Sequence, residues 1–301
     1  MRIAFIFAHR PSDVWSTPLS IVNQFKKIGW DTKIYSLFDY ADNYVDSNIQ
    51  ELINSDYNPD IVMYMDWGRF DSVFLDKKCL PDSYWIMESG DDPQNFDRNS
   101  IKAHKFDLVL TPAYDSYLKY TDMGINVEWW THFADTNIHK PSLKHDGIKQ
   151  PVRSTRGYGG SQLMDYLTAL LPDKFLNKNG LNGLDYGLFL SSAKITLQHS
   201  RHKEVTRRLF EAAACNSMIL TDRLPDYTNI NRIFTEGQDI VYYDSIPECI
   251  SKINYYLSEE GRKERESITL SAYWNVITEH TQIQRVDTII KKFEQWKENS
   301  Q

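Results

Sequence analysis

Short apolar runs alternate with amphipathic stretches along this chain. Residues 2–8 read RIAFIFA, an almost unbroken apolar run of the kind a strand shows when both faces of its sheet are covered. Residues 17–28 carry apolar side chains at helical spacing and stop at Gly29; residues 32–37 return to a strand. The alternation continues, with strands predicted at 61–65, 84–87 and 108–111, helices at 47–53, 99–104 and 114–122, and residues 126–130 closing the series. Strand and helix in turn predict a parallel sheet covered on both sides.

Residues 134–150 (ADTNIHKPSLKHDGIKQ) follow neither period and contain a Pro and a Gly, as a linker does, which places a domain boundary at 138/139. A second α/β unit then opens with a strand at 152–155, a Gly-rich turn at 156–161 (RGYGGS) and an amphipathic helix at 162–171. A short strand at 194–197 leads through the basic loop 198–203 (QHSRHK) to the run TRRLFEAAACNSMIL, a helix start, a small-residue helix body and a buried strand.

Composition fits two domains: 301 residues at roughly 100 to 200 per domain, with 41% hydrophobic and 25% charged residues. Cys79, Cys215 and Cys249 lack C-x-x-C spacing, so they predict neither a disulfide framework nor a zinc site, and read as buried packing residues. The first apolar run ends at His9 and Arg10, too short for a signal peptide or a membrane span, so the sequence predicts a cytoplasmic protein. The net charge of -7 is unevenly spread. Residues 1–135 hold 12 Lys and Arg against 21 Asp and Glu, and residues 136–301 hold 22 against 20. The second half is the better host for an anionic ligand, and the acidic first half disfavours a nucleic-acid partner without excluding it.

Arg207, Arg208 and Glu211 share one helix surface at three- and four-residue spacing. Guanidinium groups beside an acceptor-only carboxylate suit a sugar nucleotide, the cations on diphosphate and the carboxylate on ribose hydroxyls; an amphipathic helix with a surface ion pair has the same spacing. The segment RLFEAAAC-N-SMILTD resembles the R-x-FEA-x-AC-G segment of the group 1 glycosyltransferases, in their spore-maturation-protein-like branch. GQDIVYY at 237–243, a helix from about Ser245, and HTQIQR at 280–285 extend the resemblance. It implies the GT-B architecture, two Rossmann-like domains facing a cleft: an acceptor domain at 1–138 and a nucleotide-sugar donor domain at 139–301, whose last helix packs back on the first domain. It further implies transfer of a hexosyl or pentosyl group to an acceptor hydroxyl. Asn216 stands where the family has Gly, and Asn is the next-best residue for a left-handed helix end. Glu204 and Glu211 have six residues between them where group 1 enzymes have seven, and Lys203 holds the expected first position, so the resemblance assigns no stereochemical outcome.

Within that frame Gly159, Gly160 and Ser161 are candidate diphosphate contacts, because a Gly-rich turn opening a helix presents N–H groups to an anion, although such turns also merely redirect the chain. His199 and Arg201 lie in the loop that the family places near the donor, and Asp222 ends the strand beyond it. Ligands of open α/β sheets bind beyond the strands' carboxyl ends. Three such ends carry candidate general bases for an acceptor hydroxyl: His9 and Asp13, Asp66, and, as first choice, Asp91 and Asp92. A carboxylate capping the next helix would look the same there. No D-x-D motif occurs, so no metal and no cofactor beyond the nucleotide-sugar co-substrate are expected. A nucleotide-sugar epimerase of the same fold, and a non-catalytic nucleotide-sugar-binding protein, remain alternatives. The acceptor is open among polysaccharide, small molecule, protein and modified DNA base, as is the oligomeric state.

Overall fold

The computed structural model describes residues 1–10, 12–13, 15–37, 47–66, 77–142, 150–155 and 162–300, with the backbone alone at 47–50, 66 and 300. The chain divides into two compact units, Met1–Thr131 with Ile283–Gln301, and His132–Gln282.

The first unit contains β1 (Arg2–Phe7), α1 (Thr17–Lys27), β2 (Asp31–Ser36), α2 (Ser47–Asn54), β3 (Ile61–Asp66), β4 (Tyr84–Ser89), α3 (Phe96–Ala103), β5 (Leu108–Thr111), α4 (Tyr114–Asp122) and β6 (Val127–Trp129). Its strands form one parallel sheet in the order β2-β1-β3-β4-β5-β6. β1 and β3 pair Ile3 with Ile61 and Phe5 with Met63 at the centre, and all four side chains are buried. Helices on both faces account for the unbroken apolar runs. α1 starts where Ser16 accepts the Leu19 N–H and is followed by Gly29 at φ 86°, a conformation that glycine adopts without strain.

The second unit contains β7 (Gln150–Thr155), α5 (Gln162–Leu170), β8 (Phe175–Lys178), α6 (Gly183–Ser191), β9 (Ala193–Gln198), α7 (Arg207–Ala214), β10 (Met218–Asp222), β11 (Val241–Tyr243), α8 (Ile246–Leu257) and α9 (Glu259–Glu279). Its parallel sheet runs β11-β10-β9-β7-β8. Both sheets are therefore of the Rossmann-like type. Asn216 turns α7 into β10 at φ 56°, and the Ser217 N–H reaches back to the Ala212 carbonyl, so Asn fills the left-handed position where Gly was expected. The last helix, α10 (Gln282–Ser300), runs into the first unit, where Val286, Ile289 and Phe293 are buried. There Phe293 meets Trp30 and Tyr84, Trp130 Nε1 donates to the Arg285 carbonyl at 3.2 Å, and Arg285 Nε donates to the Thr131 carbonyl at 2.8 Å.

Four features differ from the sequence reading. The division falls after Thr131, not at 138/139, because residues 132–139 are packed into the second unit: the Ala134 N–H bonds the His280 carbonyl, the Gln282 N–H bonds the Ala134 carbonyl, and His139 is fully buried. Polar residues satisfied internally imitate a linker in sequence. β8 and α6 were not anticipated, since β8 is a short edge strand and α6 contains Gly183 and Gly187. α3 begins three residues earlier than its apolar spacing indicates, at Phe96. Cys79 is exposed, whereas Cys215 and Cys249 are buried; burial pushes the Cys249 thiol up to about 12. Among the described residues no helix is long and apolar enough to cross a membrane.

Candidate functional site

In the second sheet the chain leaves β7 towards β8 on one side and β9 on the other. Such a reversal opens a crevice beyond the strands' carboxyl ends, where ligands of open α/β sheets bind. The loop after β9 emerges there. Gly159, Gly160 and Ser161, the expected diphosphate contacts, lie outside the described residues.

The loop after β9 is organised by Asp222, which closes β10 and is 3% exposed. Its Oδ1 accepts the Ser200 N–H at 2.7 Å and its Oδ2 accepts Lys203 Nζ at 2.6 Å. Lys203 takes φ 53° to do so. His199 lies nearly parallel to Tyr243, with Nδ1 3.0 Å from the phenol oxygen, and the phenol donates to the Gln198 carbonyl at 3.2 Å. The same Nδ1 lies 3.8 Å from Asp222 Oδ1. Leu163, His199, Lys203, Asp222, Tyr243 and Ser245 line a cavity of about 250 Å³. Arg201 is exposed on the same loop.

α7 begins immediately after this loop, with Thr206 in extended conformation. Its two arginines diverge. Arg208 Nη1 donates to Gln198 Oε1 at the end of β9, whereas Arg207 lies along its own helix with Nε 3.6 Å from Glu211 Oε1. Glu211 is 4% exposed, and its Oε2 accepts the Tyr186 hydroxyl at 2.7 Å. His139 Nε2 stands 3.7 Å from Oε1. The Asp135 N–H donates to His139 Nδ1 at 3.0 Å, which puts the ring proton on Nε2, towards the carboxylate. Burial lowers the His139 pKa and keeps the ring neutral, while burial and Glu211 raise that of Tyr186. Glu211, expected on the ribose hydroxyls, thus has its carboxylate buried, with the Tyr186 hydroxyl as its hydrogen-bond donor and Arg207 and His139 alongside.

In the first unit β1 runs into His9, whose Nδ1 is 3.8 Å from Asp13 Oδ2, and Asp13 also accepts the Arg10 N–H at 2.8 Å. Asp66 closes β3; its side chain lies outside the described residues. β4 runs into Asp91 and Asp92, which the structure separates. Asp91 is exposed at φ 56°. Asp92 is buried, with Oδ2 accepting from Ser89 Oγ at 2.7 Å and Thr111 Oγ1 at 3.0 Å, and Oδ1 from Asn99 Nδ2 at 3.1 Å. Burial nevertheless raises its pKa to about 6, against the lowering effect of these bonds. Among the described residues no three His, Cys, Asp or Glu side chains form a cluster able to hold a metal ion.

The sequence reading missed His139, Tyr186, Gln198 and Tyr243. His139 was hidden in an apparent linker and Tyr186 in an unanticipated helix. A signal did exist for Tyr186 in the neighbouring Gly187, where a Cβ would stand 2.2 Å from the Ile138 carbonyl oxygen.

Residues 155–291 match the model of a glycosyl transferase-like family. No curated protein sequence gives a significant match. Among solved structures the chain is similar to a glycosyltransferase from Rickettsia africae, at 11% identity and TM-score 0.69, covering 98% of each chain. It is similar to HepE from Anabaena, solved in complex with UDP-glucose, at 10% identity and TM-score 0.65, covering 98% of this chain and 100% of that one. A protein from Listeria monocytogenes assigned as a UDP-N-acetylglucosamine 2-epimerase is also similar, at 11% identity and TM-score 0.62, covering 99% of this chain and 97% of that one. At these identities the likeness establishes the fold, which is that of the GT-B glycosyltransferases.

Proposed function

We propose that this chain is a glycosyltransferase that takes a sugar from a nucleoside-diphosphate donor held by the second unit and passes it to an acceptor hydroxyl bound by the first. The observation that carries the reading is the match of residues 155–291 to a glycosyl transferase-like family, because that stretch contains the whole arginine-bearing α7 and the loop before it. Arg207 and Arg208 sit in the first turn of that helix, where cations and the positive end of the helix dipole together favour a diphosphate. Glu211 serves by holding Arg207, and Asp222 by fixing the loop with His199, Arg201 and Lys203. Gly159, Gly160 and Ser161 add N–H groups to the same anion.

On the acceptor side the base is assigned to the pair Asp91 and Asp92 with divided labour. Exposed Asp91 takes the proton, and buried Asp92 holds the turn that presents it. His9, Asp13 and Asp66 are the reserve candidates. Transfer is metal-independent in this reading, and the chain stands in the spore-maturation-like branch, acting in the cytoplasm on a hexosyl or pentosyl donor. Polysaccharides, small molecules and proteins are the favoured acceptors, ahead of a modified DNA base, because the first unit's sequence is acidic.

The likeness to an assigned 2-epimerase sustains a second reading, conversion of a nucleotide sugar without transfer. Incubating the full chain with a panel of nucleotide sugars, with and without acceptors, separates the two. Acceptor-dependent release of nucleoside diphosphate supports transfer, and an isomerised sugar formed without acceptor supports epimerisation.

A further inference from the structure

The second unit carries a broad open groove of about 700 Å³ that shares no residue with the candidate donor site. One wall is a stripe of α9 formed by Ser267, Leu270, Trp274 and Thr278, spaced three or four residues apart so that they share a face. The other is the segment 231–239 between β10 and β11. The two walls are pinned together. Ser271 Oγ donates to Asp239 Oδ1 at 2.6 Å and Asn275 Nδ2 to the Ile233 carbonyl at 2.6 Å, while Asp239 Oδ2 accepts the Thr235 N–H at 3.0 Å. The groove is thus formed before any ligand arrives, which lowers the entropy lost on binding.

Its rim is chemically distinctive. Trp274 is 56% exposed and Leu270 53% exposed. The side chains of Asn231, Arg232 and Gln238 are exposed and have no hydrogen-bond or ion-pair partner among the described residues. An indole offers a flat apolar face with a polar N–H at its edge, and amides and a guanidinium offer donors and acceptors around it. A pyranose ring is the complement, with an apolar C–H face and a perimeter of hydroxyls. We infer that this groove binds a neutral oligosaccharide of hexopyranose units, stacked on Trp274 and hydrogen-bonded by Asn231, Arg232 and Gln238. A polyanion would demand a run of cations, whereas the groove lining holds a single arginine and a carboxylate already bonded to its own walls. A helical peptide would demand a continuous apolar surface, whereas most of the side chains lining this groove are hydroxyls, amides or charged groups.

The inference stands independently of the proposed donor site. Its test is titration of the full chain with maltohexaose, cellohexaose and N-acetylchitohexaose, read by tryptophan emission and calorimetry. At least one of the three is expected to bind saturably, and Trp274→Ala, a change at an exposed position, to weaken it by about tenfold or more. The double variant Asn231→Ala with Gln238→Ala is expected to weaken it without altering the indole. Arg207→Ala should leave this binding intact while weakening nucleotide-sugar binding, so failure of either proposal is read separately. Absence of saturable binding by all three, or equal affinity in wild type and Trp274→Ala, overturns the inference.

Discussion

Tyr186 donates its phenolic hydrogen to Glu211 across 2.7 Å, joining a helix that the sequence conceals to the one that it displays most clearly. The bond satisfies a carboxylate that is 4% exposed and lies beside Arg207. Tyr186→Phe keeps the ring and removes the donor. A lost hydrogen bond to a charged group costs about 1.5 to 3 kcal/mol, and denaturant unfolding of the variant should show a loss of that order together with weaker donor binding. Unchanged stability and affinity would detach Tyr186 from the site.

Gly187, the next residue, tests the same arrangement sterically. A Cβ there would stand 2.2 Å from the Ile138 carbonyl oxygen, which is backbone and has little room to retreat. Gly187→Ala should destabilise the chain by about 1 to 3 kcal/mol, the usual cost of overpacking. A thermal midpoint equal to that of the wild type would show that residues 132–139 are not held against α6.

Asp91 and Asp92 make opposite predictions although they are adjacent. Asp91→Asn should reduce turnover by roughly 100- to 10,000-fold, the usual range for loss of a general base. Asn tolerates the left-handed φ of 56°, so folding should be spared. If His9→Ala, Asp13→Asn or Asp66→Asn slows the enzyme while Asp91→Asn does not, the base lies at another strand end.

Asp92 is expected to register in stability against pH. Its pKa is raised to about 6 from 3.8, so between those values the folded chain holds a proton that the unfolded chain has released. Stability from this group is therefore greatest below about pH 4, falls as pH rises to about 6 and is constant above. Subtracting the Asp92→Asn profile from that of the wild type should leave this descending segment; a difference that rises with pH would contradict the burial argument.

The missing D-x-D spacing and the arginines of α7 together predict that transfer persists in excess chelator. Measured turnover that disappears on chelation and returns with manganese or magnesium would place an essential cation in the reaction.

Most strands and helices were legible because period and punctuation agreed: residues 3–8 (IAFIFA) are apolar throughout, and the helix 114–122 was bounded correctly. The α7–β10 turn was legible because Asn216 is among the few residues suited to a left-handed helix end. β8 and α6 were not, since an edge strand shows little apolar pattern and glycines depress helix propensity where close approach requires them. The site was half legible. Arg207, Arg208 and Glu211 announce themselves by spacing, but spacing cannot say that the carboxylate is buried beside His139 and Tyr186. Nor can two adjacent aspartates reveal which one is buried.

The central claim is that the start of α7 grips the diphosphate of a nucleotide sugar, and calorimetric titration of wild type and Arg207→Ala with UDP-glucose, UDP-N-acetylglucosamine, GDP-mannose and dTDP-glucose tests it most directly. The account predicts that at least one of these binds the wild type, and that the variant, folded by circular dichroism, binds it about 10- to 100-fold more weakly, as loss of a charge-assisted contact of about 1.5 to 3 kcal/mol implies. Binding of none of the four, or equal affinity in the two proteins, would contradict it.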